Sequence, residues 1–153
     1  MSQQQMKKTA PLKTALTGLL LTCLATTLQA AELKRTFTQP YQQDIGYAQV
    51  VRDGNMLYLS GVGSGGKTVE EQMLNAYKVI GMVLNEQGAG LSDILQERIS
   101  TTDMDALKAA IPARKALFGE GQYPASSWYQ IDRLFMPDMM IEIEVIARVP
   151  EAK

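Results

Sequence analysis

The chain has 153 residues, with 15 Lys and Arg against 16 Asp and Glu for a formal net charge of −1, no histidine and a single cysteine, Cys23. That length suits one domain, and a slightly acidic chain without a run of Lys or Arg is poorly matched to nucleic acid, whose phosphates are met by clustered cations. Without histidine the commonest general base, the commonest transition-metal ligand and every histidine triad are missing, so no metal site and no cofactor are expected.

Residues 1–30 read as a leader. Lys7, Lys8 and Lys13 precede an apolar or small stretch from Ala15 to Leu28, and Leu28-Gln29-Ala30 is a small-residue cleavage site. This is the pattern of a secretory signal peptide, and the apolar run is too short for a comfortable transmembrane helix. An uncleaved anchor is the alternative reading; a lipid anchor on Cys23 is disfavoured by the bulk of Thr22 before it. Cleavage after Ala30 leaves residues 31–153 as the folded domain, without cysteine and with a formal charge of −4. Thiol chemistry then goes with the leader, and catalysis would rest on carboxylates, hydroxyls, Arg, Lys, Tyr or backbone groups. The expected location is periplasmic or secreted, with no stable membrane association after cleavage.

Ala31 to Gln39 reads as a short strand and Pro40 to Gly46 as a loop. Tyr47–Arg52 and Asn55–Ser60 are β-rich runs separated by Asp53-Gly54, a hairpin signal because that pair accepts the positive φ of a tight turn. Gly61, Gly63, Gly65 and Gly66 follow without the spacing or the Lys-Ser/Thr ending of a phosphate loop, and read as a turn. Thr68 with Glu71 forms a capping box, and Met73, Ala76, Tyr77, Ile80, Val83 and Leu84 recur behind it at helical spacing up to Gly88. Ile94–Thr101 is a further strand. Asp103 or Asp105 caps a second helix through Phe118, with Leu107, Ala110, Ile111, Arg114 and Leu117 on one side; Pro112 should kink or restart it.

Two C-terminal strands close the chain, one from Tyr123 towards Arg133 and one from Ile141 to Ala147. The second alternates strictly, with Ile141, Ile143 and Val145 on one side and Glu142 and Glu144 on the other. Such acids usually decorate a solvated sheet face. The sharper reading puts Glu142 in a cleft made with the preceding strand, which carries Ser126, Ser127 and Arg133. Strands and helices segregate along the chain, so the predicted fold is α+β: one mixed or antiparallel sheet with two helices on one face. The uncovered sheet face predicts a homo-oligomer.

Several stretches together resemble the reactive intermediate deaminase (Rid, YjgF-type) family. They are Ile45-Gly46-Tyr47, Gly54-Asn55-Met56, Leu59-Ser60-Gly61, Tyr123-Pro124-Ala125, Arg133-Leu134 and the run Ile141–Ala147, and the resemblance spans roughly residues 37–149. It implies a chorismate-mutase-like fold assembled as a homotrimer with a ligand cleft at each subunit interface. It also implies hydrolysis of enamines and imines, such as 2-aminoacrylate and its imine tautomer, to a 2-keto acid and ammonia. By resemblance the acid of the site falls on Glu142, a tyrosine of the cleft on Tyr47 and a hydroxyl on Ser60.

The chain departs from that pattern where the deaminases carry Pro-Ala-Arg-Ser. Here Ser126 stands in place of the arginine that grips the substrate carboxylate, followed by Ser127 and the only tryptophan, Trp128; Ile111 stands where the deaminases often carry asparagine. Losing a charge-assisted bidentate pair removes on the order of 2–5 kcal/mol of carboxylate binding, which argues against turnover of 2-iminoacids. Two functions follow. One is a hydrolase acting on imines or enamines with Glu142 positioning water and Tyr47, Ser60, Ser126 and Ser127 hydrogen-bonding at the cleft. The other is a non-catalytic small-molecule binder with Trp128 or Tyr129 as an apolar or aromatic wall.

Overall fold

The structure, a computed structural model, describes residues 32–151; the predicted leader lies outside the described residues. In chain order the elements are β1 (Lys34–Thr36), α1 (Tyr41–Ile45), β2 (Val50–Asp53), β3 (Met56–Val62), α2 (Val69–Glu86), a single 3-10 turn (Leu91–Asp93), β4 (Ile94–Thr101), α3 (Met104–Ala109), α4 (Ile111–Lys115), β5 (Ala125–Gln130) and β6 (Ile141–Arg148). The six strands form one sheet in the order β1-β2-β3-β6-β4-β5. Every neighbouring pair is antiparallel except β4 and β5, which run parallel with α3 and α4 as their crossover. This is the mixed-sheet α+β fold predicted.

The core lies between one sheet face and α2. Met73, Ala76, Tyr77, Ile80 and Leu84 of the helix stripe are fully buried, opposite Leu57, Ile99, Ile141, Ile143 and Ala147 of the sheet. Thr68 caps α2 by accepting the Glu71 N–H at 3.1 Å. The Glu71 carboxylate reaches back to the N–H of Lys67 at 2.6 Å, one residue earlier than a capping box requires. The opposite sheet face carries Tyr58, Arg98, Ser100, Glu142, Glu144 and Tyr129, which alternate with the buried set.

Three expectations need correction. The segment predicted as a loop at Pro40–Gly46 contains α1. Gln42, buried to 1% exposure, accepts the N–H groups of Thr38 and Gln39 at 2.8 and 3.1 Å and donates to the Gln49 side chain at 2.8 Å. Gly46 then stops the helix at φ 93°. In the hairpin the two turn residues are Gly54 and Asn55, since Asp53 pairs with Met56, and Gly54 takes the positive φ. The second helix restarts at Pro112, as its sequence indicates: α3 ends at Ala110, and Pro112, needing no N–H partner, sits in the first turn of α4. Finally, β5 does not adjoin β6. β4 lies between them, and β5 ends at Gln130, so Arg133 is off the strand.

Candidate functional site

A cavity of about 650 Å³ opens beside the start of β6, between α1, the end of β3 and the loop that precedes β6. Its polar groups are Tyr41, Tyr47, Ser60 and Glu142, and Ile45, Phe135, Met136 and Met139 form apolar walls. A β-bulge shapes it: Leu59 pairs with Val145 but Val62 with Ile143, so three steps of β3 match two of β6. The extra residue leaves both Ser60 and Gly61 on the open face beside Glu142, where an unbroken alternation would turn Gly61 inward. The Ser60 hydroxyl donates to the Ala48 carbonyl at 2.8 Å, which ties the cavity wall to the segment carrying Tyr47.

Glu142 is half-buried, lies opposite Ser100 in the sheet and meets no ion-pair or hydrogen-bond partner among the described residues. Burial, and secondarily the like charge of Glu144 two residues on, push its carboxyl above the usual carboxylate range. The Tyr47 phenol is also raised, first by burial, then by the Tyr41 phenol, with the Glu142 charge adding a smaller push. Tyr47 therefore stays protonated at neutral pH, as a donor lining the same cavity as an unpaired acid. Among the described residues no group of His, Cys, Asp or Glu gathers in a way that could hold a metal ion.

Gly61 is the residue that lets Glu142 sit where it does. A Cβ built there would lie 2.5 Å from Cδ and Oε1 of Glu142. Because those atoms end a flexible side chain, Gly61→Ala should leave the melting temperature nearly unchanged while displacing the carboxylate. We expect a loss of activity of up to about a hundredfold, the scale of a 1 Å misplacement at a reacting centre. An unchanged titration of Glu142 in a carboxyl-labelled NMR spectrum of Gly61→Ala would contradict this.

The other three residues singled out in the sequence lie elsewhere in the chain. Ser126 pairs in register with Glu97 and Ser127 with Arg98. Ser126 and Trp128 therefore share the helix side of the sheet, while Ser127 lies on the open side but two strands from Glu142. Within one chain the cavity gathers Glu142, Tyr47 and Ser60, and not Ser126, Ser127 or Trp128.

Ser126 is committed to another arrangement. Its hydroxyl donates to Glu97 Oε1 at 2.6 Å and accepts from the Trp128 indole N–H at 2.6 Å. Glu97, 1% exposed, also accepts from the Tyr77 hydroxyl at 2.6 Å and is ion-paired with Arg114. The Arg114 Nε–H reaches the Tyr77 oxygen at 3.1 Å, and its guanidinium lies over the rings of Phe118 and Trp128. No buried side-chain polar atom in the described residues lacks a partner. Sequence reading placed Arg114 in the inner stripe of the second helix without drawing the consequence: a cation among apolar positions signals a buried acid nearby.

Residues 39–149 match the family described as endoribonuclease L-PSP. The chain belongs to this family. It is a Rid/YjgF-type protein, as its relatives' names also indicate. It is 28% identical over 120 residues to a RutC family protein of Pyrococcus abyssi, across 72% of this chain and 93% of that one. A solved YjgF/YER057c/UK114-family protein of Mycobacterium tuberculosis superposes with a TM-score of 0.71 at 25% identity, over 77% of this chain and 100% of the other. A Rid-family protein of Yersinia pestis gives 0.63 at 25% identity, over 68% and 88%. Membership accords with a deaminase-like or small-molecule-binding role for a Rid/YjgF-type chain.

Proposed function

We propose that this Rid/YjgF-type protein is exported, loses residues 1–30, assembles as a homotrimer and hydrolyses carbon–nitrogen double bonds in the cavity at Glu142. The observation that carries the reading is that an unpaired, half-buried acid and a protonated phenol line one cavity with large apolar walls. Glu142 as carboxylate accepts a hydrogen bond from water and takes its proton as the oxygen adds to the imine carbon. Tyr47, which lines the same cavity, offers its hydroxyl to hydrogen-bond the substrate or the added oxygen. The proton held by Glu142 passes to the carbinolamine nitrogen, and as the carbon–nitrogen bond breaks the regenerated carboxylate takes the hydroxyl proton and returns it to the departing ammonia, so that protonated imine and water become carbonyl compound and ammonium.

The open sheet face, bearing Tyr58 and Tyr129 at 43% and 49% exposure, supports self-assembly. Lys7, Lys8 and Lys13 ahead of the apolar run support export. An RNA substrate is disfavoured by the absence of histidine and by an acid at the centre of the cavity. A binder without catalysis is the second reading, favoured by one observation: the hydroxyl of Ser126, at the position expected to grip a carboxylate, is held by Glu97 and Trp128.

The test is keto-acid and ammonia release from 2-aminoacrylate generated in situ, with the protein recovered from the periplasm, together with its N-terminal mass and its light-scattering mass. Turnover above the buffer rate, falling about three- to tenfold in Tyr47→Phe for one lost hydrogen bond, supports the hydrolase. A buffer rate with both this imine and carboxylate-free imines leaves the binder, and a monomeric mass removes the trimer.

A further inference from the structure

Resting on the reading of this cavity as an imine site, we infer that its substrate carries no carboxylate and is a protonated imine on an apolar, ring-sized body. Among the described residues that line the cavity none is Lys or Arg, and its one carboxylate, Glu142, is unpaired. The nearest charge on the same strand face is a second acid, Glu144, whose own partner Arg98 is 3.1 Å away and already engaged. A carboxylated ligand would add a third anion to a half-buried site to which this chain's lining brings no cation. A protonated imine would instead supply the cation that Glu142 lacks, and its proton is the donor that the carboxylate is missing.

The walls fit the rest of the ligand. Phe135 is 71% exposed, Ile45 54%, Tyr41 51% and Met136 50%, so large apolar side chains stand uncovered around a single acid. Methionine and aromatic groups adapt to a flat ring better than to a small branched chain. The volume of about 650 Å³ lies within the range of small-molecule sites and exceeds what a three-carbon imine would fill. The reaction balances with water alone: R–CH=NH₂⁺ and H₂O give R–CHO and NH₄⁺, without oxidant or cofactor. A site of this kind would act on products of amine oxidation or of condensation between an aldehyde and an amine.

Two measurements on the full protein separate this inference from the reading beneath it. The first is hydrolysis of N-benzylidenemethylamine, followed beside the imine that an L-amino acid oxidase releases from phenylalanine. The second is calorimetric binding of benzylamine against phenylacetate. We expect at least about tenfold acceleration of the carboxylate-free imine relative to the carboxylated one, and the same order of preference for benzylamine, lost in Glu142→Gln, as a charge contact within a few ångströms allows. Faster turnover of the phenylalanine-derived imine, or tighter binding of phenylacetate, would overturn the inference while leaving imine hydrolysis in place. Benzylamine preference without acceleration of either imine would uphold the ligand class and end the hydrolase reading. No binding of benzylamine would overturn the inference outright.

Discussion

Arg114→Met is expected to destabilise the domain by about 3–5 kcal/mol, the usual penalty for removing one partner of a buried ion pair. Glu97 has a fully buried side chain, and Arg114 is the cation paired with it. The carboxylate would keep the Tyr77 and Ser126 hydroxyls, but no charge would offset its burial. Tyr77 is no relief, since burial and the Glu97 carboxylate hold its phenol far above its ordinary range and it remains a neutral donor. The variant also loses the packing of the guanidinium on Phe118 and Trp128. Urea denaturation should show the full loss in the single variant and recovery of most of it in Glu97→Gln/Arg114→Met, where no charge is buried. Equal losses in the single and double variants would show that packing, and not the orphaned carboxylate, sets the effect. The same network argues that Ser126→Arg would not restore a carboxylate grip, because a second guanidinium would meet Arg114 and compete for Glu97.

Glu142→Gln is the converse case. It should lower imine turnover by about 10² or more, the scale of general-base catalysis, and leave the melting temperature unchanged or higher. The folded protein raises the carboxyl above its unfolded value by burial and by Glu144. A raised acid favours the folded state below its unfolded pKa, and that contribution is lost as pH rises through the folded pKa. At neutral pH the ionised Glu142 is thus a small burden on stability that glutamine removes. Activity carried by the carboxylate should rise with pH along a limb set above the ordinary range for glutamate. Glu144→Gln should move that limb to lower pH, because it removes the like charge and leaves Glu142 in place. An acid limb that stays put in Glu144→Gln, or a lower melting temperature in Glu142→Gln, would contradict this account.

Part of this molecule was legible from local pattern. The alternation Ile141, Ile143, Val145 fixes which face of β6 is buried, because a strand's side chains change sides at every residue. Thr68 and the stripe from Met73 to Leu84 announce α2, because capping and helical periodicity involve neighbours within a few positions. The placement of Glu142 on the side away from the core follows from the same alternation, which puts Glu144 there too; the choice of Glu142 as the acid of the site came from the resemblance to the Rid family. Even α1 had a signal in the pair Pro40 and Gly46, overlooked because its one buried residue, Gln42, is polar and works through hydrogen bonds to Thr38, Gln39 and Gln49.

What only the tertiary structure decided is who meets whom. Sequence order suggested that the strand with Ser126 flanks the one with Glu142, but β4 inserts between them and turns Ser126 towards Glu97. The bulge at Ser60 and Gly61 is a mismatch between two strands more than eighty positions apart, and although a glycine within a strand hints at one, its register is set only when the strands pair. The partnership of Glu97 with Arg114 spans a strand and a helix: the apolar neighbours of Arg114 hint at its burial, but nothing local names Glu97 as its partner. Periodicity is a property of one segment and can be read along the chain. Register, strand order and the pairing of buried charges are free-energy balances between segments, and they exist only once the segments have packed.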